Sequence, residues 1–284
     1  MEHKHTVVQT YEPDNCLRQG YFTALKEIFN ELFYNKWLIY QLFKRDFSAM
    51  YKQSFIGFLW IFIMPILNVG LFAMLGHSGI FNFGDINVPY PIYAILGLAY
   101  WQIFANGMVA CGGSLTAVGD MVMRIKFSKK CVVIAAIGRG IVTFLVQLLL
   151  IVFLFMFFKI MPSKGALLMP LFAIPIIVFT IGLGLIVALL NSIVRDTGNL
   201  LTALISFYMY LTPILYAKPK VGILNQLANI NPMHYFIAAG RDVVLTGHLT
   251  EPGGFIVSTI VAFVILFFGL MVFHLTETRI TERI

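Results

Sequence analysis

The sequence predicts an all-α polytopic membrane protein: an N-terminal amphipathic interfacial helix, six transmembrane helices, and short external helices between spans 5 and 6. Two observations carry this. Hydrophobic residues make up 59% of the chain and charged residues 12%, with a mean hydropathy of +0.86, more apolar surface than a soluble domain of this size can bury. The apolar residues are also gathered into uncharged stretches: Gln53–Gly84, Val88–Gly119, Gly140–Phe158, Gly165–Val194, Thr197–Ala217 and Pro252–Thr276. Each supplies the roughly 20 residues needed to cross a bilayer.

Taken in order, the chain opens on MEHKHTVVQTYEPDN, which has no apolar core and predicts no cleaved signal peptide. Phe22, Leu25, Phe29, Leu32 and Phe33, then Trp37, Tyr40, Phe43, Phe47 and Met50, recur at steps of three and four. Lys26, Glu27, Asn30 and Glu31, and then Lys36, Gln41, Lys44, Arg45, Ser48 and Lys52, take the opposite faces. That is the pattern of a helix lying in the membrane interface. The division follows: residues 1–52 as a cytoplasmic arm, 53–284 as a six-helix transmembrane domain.

Orientation follows from charge. Fifteen of the twenty Lys and Arg residues fall on one side if the loops alternate. They are Lys4, Arg18, Lys26, Lys36, Lys44, Arg45 and Lys52 of the arm, Arg124, Lys126, Lys129, Lys130 and Arg139 after span 2, Arg195, and Arg279 and Arg283 of the tail. Lys159, Lys164, Lys218, Lys220 and Arg241 fall on the other. Positive loops stay inside, so both termini are expected in the cytoplasm. The net charge of +7 reflects this distribution and implies no nucleic-acid partner. Val221–Gly240 is uncharged, but Asn225, Gln226, Asn229, Asn231 and His234 make it too polar for lipid. Lys218–Glu251 therefore reads as an external segment.

No span carries Asp or Glu, so no proton or sodium relay is evident. No G-x-x-x-x-G-K-S/T loop occurs that would cradle nucleotide phosphates. Cys16, Cys111 and Cys131 have no metal-ligand spacing, the histidines share none, and Asp85, Asp242 and Glu251 stand singly. No catalytic residue and no metal site is expected. Energy for any transport has to come from elsewhere.

Ser54-Phe55-Ile56-Gly57-Phe58-Leu59-Trp60 followed by Pro65 resembles the S-x-x-G-x-L-W…P opening of ABC-2 type polysaccharide-export permeases. These are the membrane subunits that export O-antigen, capsule or teichoic acid. The basic run Lys44-Arg45-Asp46…Tyr51-Lys52 is similar to the one these proteins carry. So are Arg195-Asp196 after span 4, Thr212-Pro213-Ile214-Leu215-Tyr216 by span 5, and Asn231-Pro232-Met233-His234-Tyr235…Gly240-Arg241 before span 6. The five motifs occur in the family's order from about Lys36 onward. The loop after span 2 departs from the pattern, since Lys126-Phe127-Ser128-Lys129-Lys130 lacks its aromatic–Pro pair.

The resemblance implies a homodimer joined to two copies of a separate ATPase, which binds the ATP and Mg. It also implies a bacterial cytoplasmic membrane, surrounding lipids, and a polyprenyl-linked polysaccharide as substrate. It makes Asp120–Lys130 the loop that inserts into the ATPase, through Met121, Met123, Arg124, Lys126, Phe127 and Lys130. Aromatic rings stack on sugars without fixing a hydroxyl pattern. Candidate channel-lining residues are therefore Trp60, Phe62, Tyr100, Trp101, Phe104, Phe207, Tyr208 and Tyr210, with Tyr216 and Tyr235 at the exit. Gly57, Pro65, Arg195, Asp196, Pro213, Asn231, Pro232 and Arg241 are structural. Pro65, Pro170, Pro175 and Pro213 are read as breaks inside spans. Two alternatives stand beside this reading: an ABC-2 exporter of a drug or small lipid, and an integral-membrane enzyme acting on lipid-linked sugars.

Overall fold

The computed structural model describes residues 21–51, 59–77, 86, 88–118, 128–194 and 196–280. The described residues form helices: α1 (Tyr21–Tyr34), α2 (Lys36–Tyr51), α3 (Trp60–His77), α4 (Tyr90–Val118), α5 (Lys130–Ala136), α6 (Gly138–Phe157), α7 (Met169–Ile193), α8 (Asp196–Leu211), α9 (Ile223–Ile230), α10 (Pro232–Leu245) and α11 (Pro252–Ile280). A 3₁₀ turn, Lys164–Leu168, leads into α7. No strand occurs among them, as expected where backbone polar groups must be satisfied within each segment.

Among the described residues, four segments are long and apolar enough to cross a membrane: Tyr90–Val118, Lys130–Phe157, Lys164–Ile193 and Pro252–Thr276. The first and fifth expected spans hold shorter helices, α3 of 18 residues and α8 of 16, about 27 and 24 Å long. The third begins at Lys130, ahead of the Gly140 expected from hydropathy, with a turn at Ile137 between α5 and α6. Charge patterning hid this start, because Lys129 and Lys130 read as loop yet are buried.

Two of the four prolines are not mid-helix breaks. Pro170 occupies the first turn of α7, where no hydrogen bond is lost. Pro213 follows α8, which ends at Leu211. Pro65 and Pro175 do lie inside helices.

Helix α4 is the hub, packing on α3, α5, α6, α7, α8 and α10. That explains why Ala94 through Trp101 are buried without interruption. One core gathers around its first half with α6, α7 and α10. A second surrounds its last turns, Cys111, Leu115 and Val118, with α5, α7 and Phe273 of α11. Helices α7 and α11 cross at backbone contact. A Cβ on Gly269 would strike the carbonyl of Gly182, and one on Gly182 would lie 2.7 Å from Leu266 Cα, a small-residue crossing of the kind helices in lipid use.

The arm splits its apolar residues between two environments. Ile28 and Leu42 are buried in the second core, and a Cβ on Gly138 of α6 would overlap the ring of Phe43. Phe33, Tyr34, Trp37 and Tyr40 are exposed. The segment Lys218–Glu251 also divides. Helix α9 leaves Ile223 and Ile230 exposed, whereas α10 buries His234, Phe236, Ile237 and Arg241 against the bundle.

Candidate functional site

The motif residues around α8 and α10 meet in one buried clasp. Asn231 caps α10: its Oδ1 accepts from the Met233 N–H at 2.9 Å, and Pro232 fills the first helical position, the preferred chemistry for a helix start. Its Nδ2 donates to Thr212 Oγ1 at 2.9 Å. The Thr212 hydroxyl donates to the Tyr208 carbonyl at 2.9 Å. The Tyr208 hydroxyl donates back to Asn231 Oδ1. Three residues from two helix ends thus close a ring of hydrogen bonds.

Beyond α8 the chain is no longer helical, so the carbonyls of Pro213 and Ile214 lack helix partners. Buried carbonyls left bare are costly. The Arg241 guanidinium supplies the missing donors, to Ile214 and, at 3.4 Å, to Pro213. Its central carbon lies over the Tyr93 ring, 3.8 Å from the ring centre, a cation–π contact. Gly97 of α4 leaves the room, since a Cβ there would overlap the guanidinium and lie 2.7 Å from the Ile214 oxygen. Gly240 does the same for Tyr100, whose hydroxyl donates to Met169 at 3.0 Å. The Thr212-Pro213 and Asn231-Pro232…Arg241 motifs are two halves of one device, locked to α4.

A charged group lies beside it. Lys218 Nζ is 2.7 Å from Glu251 Oε1, and His234 Nε2 is 3.6 Å from Glu251 Oε2. Burial, then the neighbouring Lys218, holds the His234 imidazolium form down, well below its ordinary range. Burial pushes Glu251 up, but the Lys218 ammonium outweighs it and leaves the carboxyl below its usual value. In sequence Glu251 stands alone; the fold gives it two partners.

The candidate channel aromatics fall into two sets. Tyr100, Trp101 and Phe104 are inside the core, where Phe104 stacks on Phe179 with ring centroids 6.0 Å apart and Trp101 meets Tyr208 at 5.7 Å. Their faces are occupied by neighbours within the chain. Trp60, Phe207 and Tyr210 are exposed, and Phe62 is half-buried. The Tyr216 hydroxyl donates to Tyr210 and that of Tyr235 to Asn229, both at 2.8 Å.

At the opposite end, Lys130 heads α5 with its side chain buried, Nζ 3.0 Å from Glu31 Oε2 of α1 and 3.1 Å from His274 Nδ1 of α11. One ammonium joins the arm, the start of the third span and the last helix. Met121, Met123, Arg124, Lys126 and Phe127 lie outside the described residues, as do Gly57 and Arg195. Asp196 sits in the first turn of α8, where the helix dipole favours a carboxylate.

Several partners were absent from the sequence reading. Glu31 stands on the polar face of the arm in sequence, and nothing local marks Tyr93 or Gly97. A polar track along α4 and α6 also escaped notice. Asn106 Nδ2 donates to Gln102 Oε1 at 2.7 Å and to Thr143 Oγ1 at 3.4 Å, and the amide of Gln147 is buried nearby in sequence. Polar residues inside an otherwise apolar span were the available signal. Among the described residues, no group of three or more His, Cys, Asp or Glu is placed to hold a metal ion.

A family model described as ABC-2 type transporter matches residues 38–245. The chain is 24% identical to an O-antigen export system permease protein RfbA of Myxococcus xanthus, over 89% of this chain and 98% of that protein. It is 27% identical to a protein of the same name from Klebsiella pneumoniae, over 75% of this chain and 82% of the relative.

Proposed function

The chain belongs to the ABC-2 type transporter family, and from that premise we propose that it is the permease subunit of an ATP-driven exporter of a polyprenyl-linked polysaccharide. The observation that carries the reading is similarity over 75–89% of the chain to relatives named as O-antigen export permeases. The clasp supports it, because the residues that carried the resemblance are the ones the fold draws together. In this reading the protein sits in a bacterial cytoplasmic membrane with both termini inside, and two copies associate with two copies of an ATPase that binds ATP and Mg. No residue of this chain performs the hydrolysis.

The segment 120–130 couples the ATPase to the bundle. Lys130 anchors its far end: movement of the loop pulls on Glu31 and His274 through the ammonium. The exposed Trp60, Phe207 and Tyr210 are the aromatics positioned to face a second copy or a passing sugar chain. The buried Tyr100, Trp101 and Phe104 hold α4 in place instead.

The test is purification of the tagged chain from its host in mild detergent, with identification of co-purifying proteins. The expected result is a stoichiometric partner bearing a P-loop ATPase, and accumulation of lipid-linked polysaccharide in the inner leaflet when the chain is depleted. A chain recovered alone, with surface polysaccharide unchanged on depletion, overturns the reading.

A further inference from the structure

A cavity of about 440 Å³ opens between α2, the second half of α4 and the α5–α6 junction. Its walls are Phe43 and Phe47 of α2, with ring centroids 6.0 Å apart. Its floor is made of small residues, among them Ala110, Gly113 and Ala136. A Cβ built on Gly113 meets nothing within 4 Å, so the space runs down to the backbone of α4. Two guanidiniums, Arg45 and Arg139, stand in the lining with one carboxylate, Asp46. Arg45 engages Asp46 through Nε and Nη2, at 2.9 and 2.7 Å. Arg139 is exposed and has no ion pair among the described residues.

We infer that this cavity holds the headgroup and upper acyl segment of an anionic phospholipid. The floor is apolar, and apolar cavities hold water poorly, so solvent is a weak occupant. The lining charge is positive once Asp46 is set against Arg45, and Arg139 remains to meet a phosphate in the charge-assisted, two-pronged geometry guanidinium favours. Helix α2 also exposes Trp37 and Tyr40, the residues that seat a segment at headgroup level. Basic pockets between membrane helices bind anionic headgroups on this physical basis. With Phe43 seated against Gly138 on one side, the lipid completes the packing of the arm on the other. The inference is independent of what the protein exports.

The experiment is native mass spectrometry of the full-length chain in dodecyl maltoside, titrated with phosphatidylglycerol or with phosphatidylcholine. The wild-type chain is expected to retain one phosphatidylglycerol, about tenfold more tightly than phosphatidylcholine. Arg139→Gln abolishes that preference and Arg139→Lys keeps part of it. Gly113→Leu fills the floor and weakens both lipids without touching a charge, so the two variants read the site independently. Equal binding of the two lipids by the wild type, or undiminished phosphatidylglycerol binding in both Arg139→Gln and Gly113→Leu, overturns the inference. Stoichiometric displacement of phosphatidylglycerol by undecaprenyl diphosphate at lower concentration also overturns it, since the site then belongs to a lipid diphosphate.

Discussion

The Arg241 guanidinium carbon lies over the Tyr93 ring, 3.8 Å from its centre, while its N–H groups close the carbonyls of Pro213 and Ile214. Planarity and forked donors are both in use. Arg241→Ala leaves two buried carbonyls bare and is expected to cost about 2–4 kcal/mol. Arg241→Lys keeps the charge but can neither stack in the same way nor reach both oxygens, and should fall between. Thermal unfolding in detergent checks the order; a lysine variant as stable as the wild type would remove guanidinium geometry from the account.

Asn231 joins a helix cap to a bond between segments, so its loss and that of Thr212 should not add. Asn231→Ala is expected to cost about 2 kcal/mol, half from the cap and half from the bond to Thr212. Thr212→Val costs about 1 kcal/mol, and the double variant less than the sum by roughly 0.5–1 kcal/mol. Simple additivity in a double-mutant cycle would show that the 2.9 Å contact contributes nothing.

Removing one partner of a buried ion pair is worse than removing both. Glu31→Leu takes the carboxylate away from the buried Lys130 ammonium and is expected to release α1, seen as faster hydrogen exchange at residues 26–34. Adding Lys130→Met should restore most of the protection. A double variant as unprotected as Glu31→Leu would mean that the pair does not hold the arm.

The all-helical class was legible from composition and apolar length, and the motif residues from their resemblance to a family, because both are properties of contiguous sequence. The third span's true start was not. Lys129 and Lys130 carry the signature of a loop, and the partners that make burial of Lys130 tolerable include Glu31, about a hundred residues earlier, and His274, far beyond. The polarity of Val221–Gly240, too great for lipid, is a second case. Asn231 is satisfied there by Thr212 and Tyr208 at the end of another helix, which no local pattern reports. The aromatic list mixed two populations for a similar reason, since a ring in a span reads the same whether it faces lipid or Phe179.

Stability should fall on the acid side. His234 is held below its ordinary value near 6.5 by burial, so the unfolded chain takes up the proton first as pH drops below about 6.5. Glu251 is also held low, through Lys218, and its contribution is present above its ordinary value and lost as pH falls beyond it. Melting temperatures measured from pH 7.5 to 4.5 are expected to decline. His234→Gln should flatten the upper part of that decline, and an identical profile in the variant would rule out His234 as its source.

The crossing of Gly182 and Gly269 makes a fulcrum of α11. From Gly269 the helix runs about 27 Å back to Glu251 and about 8 Å forward to His274, and each end is tied to a different part of the protein, Lys218 at one and Lys130 at the other. Tilting α11 about that point moves the two ends in opposite senses. A small shift of His274 therefore emerges roughly three to four times larger at Glu251.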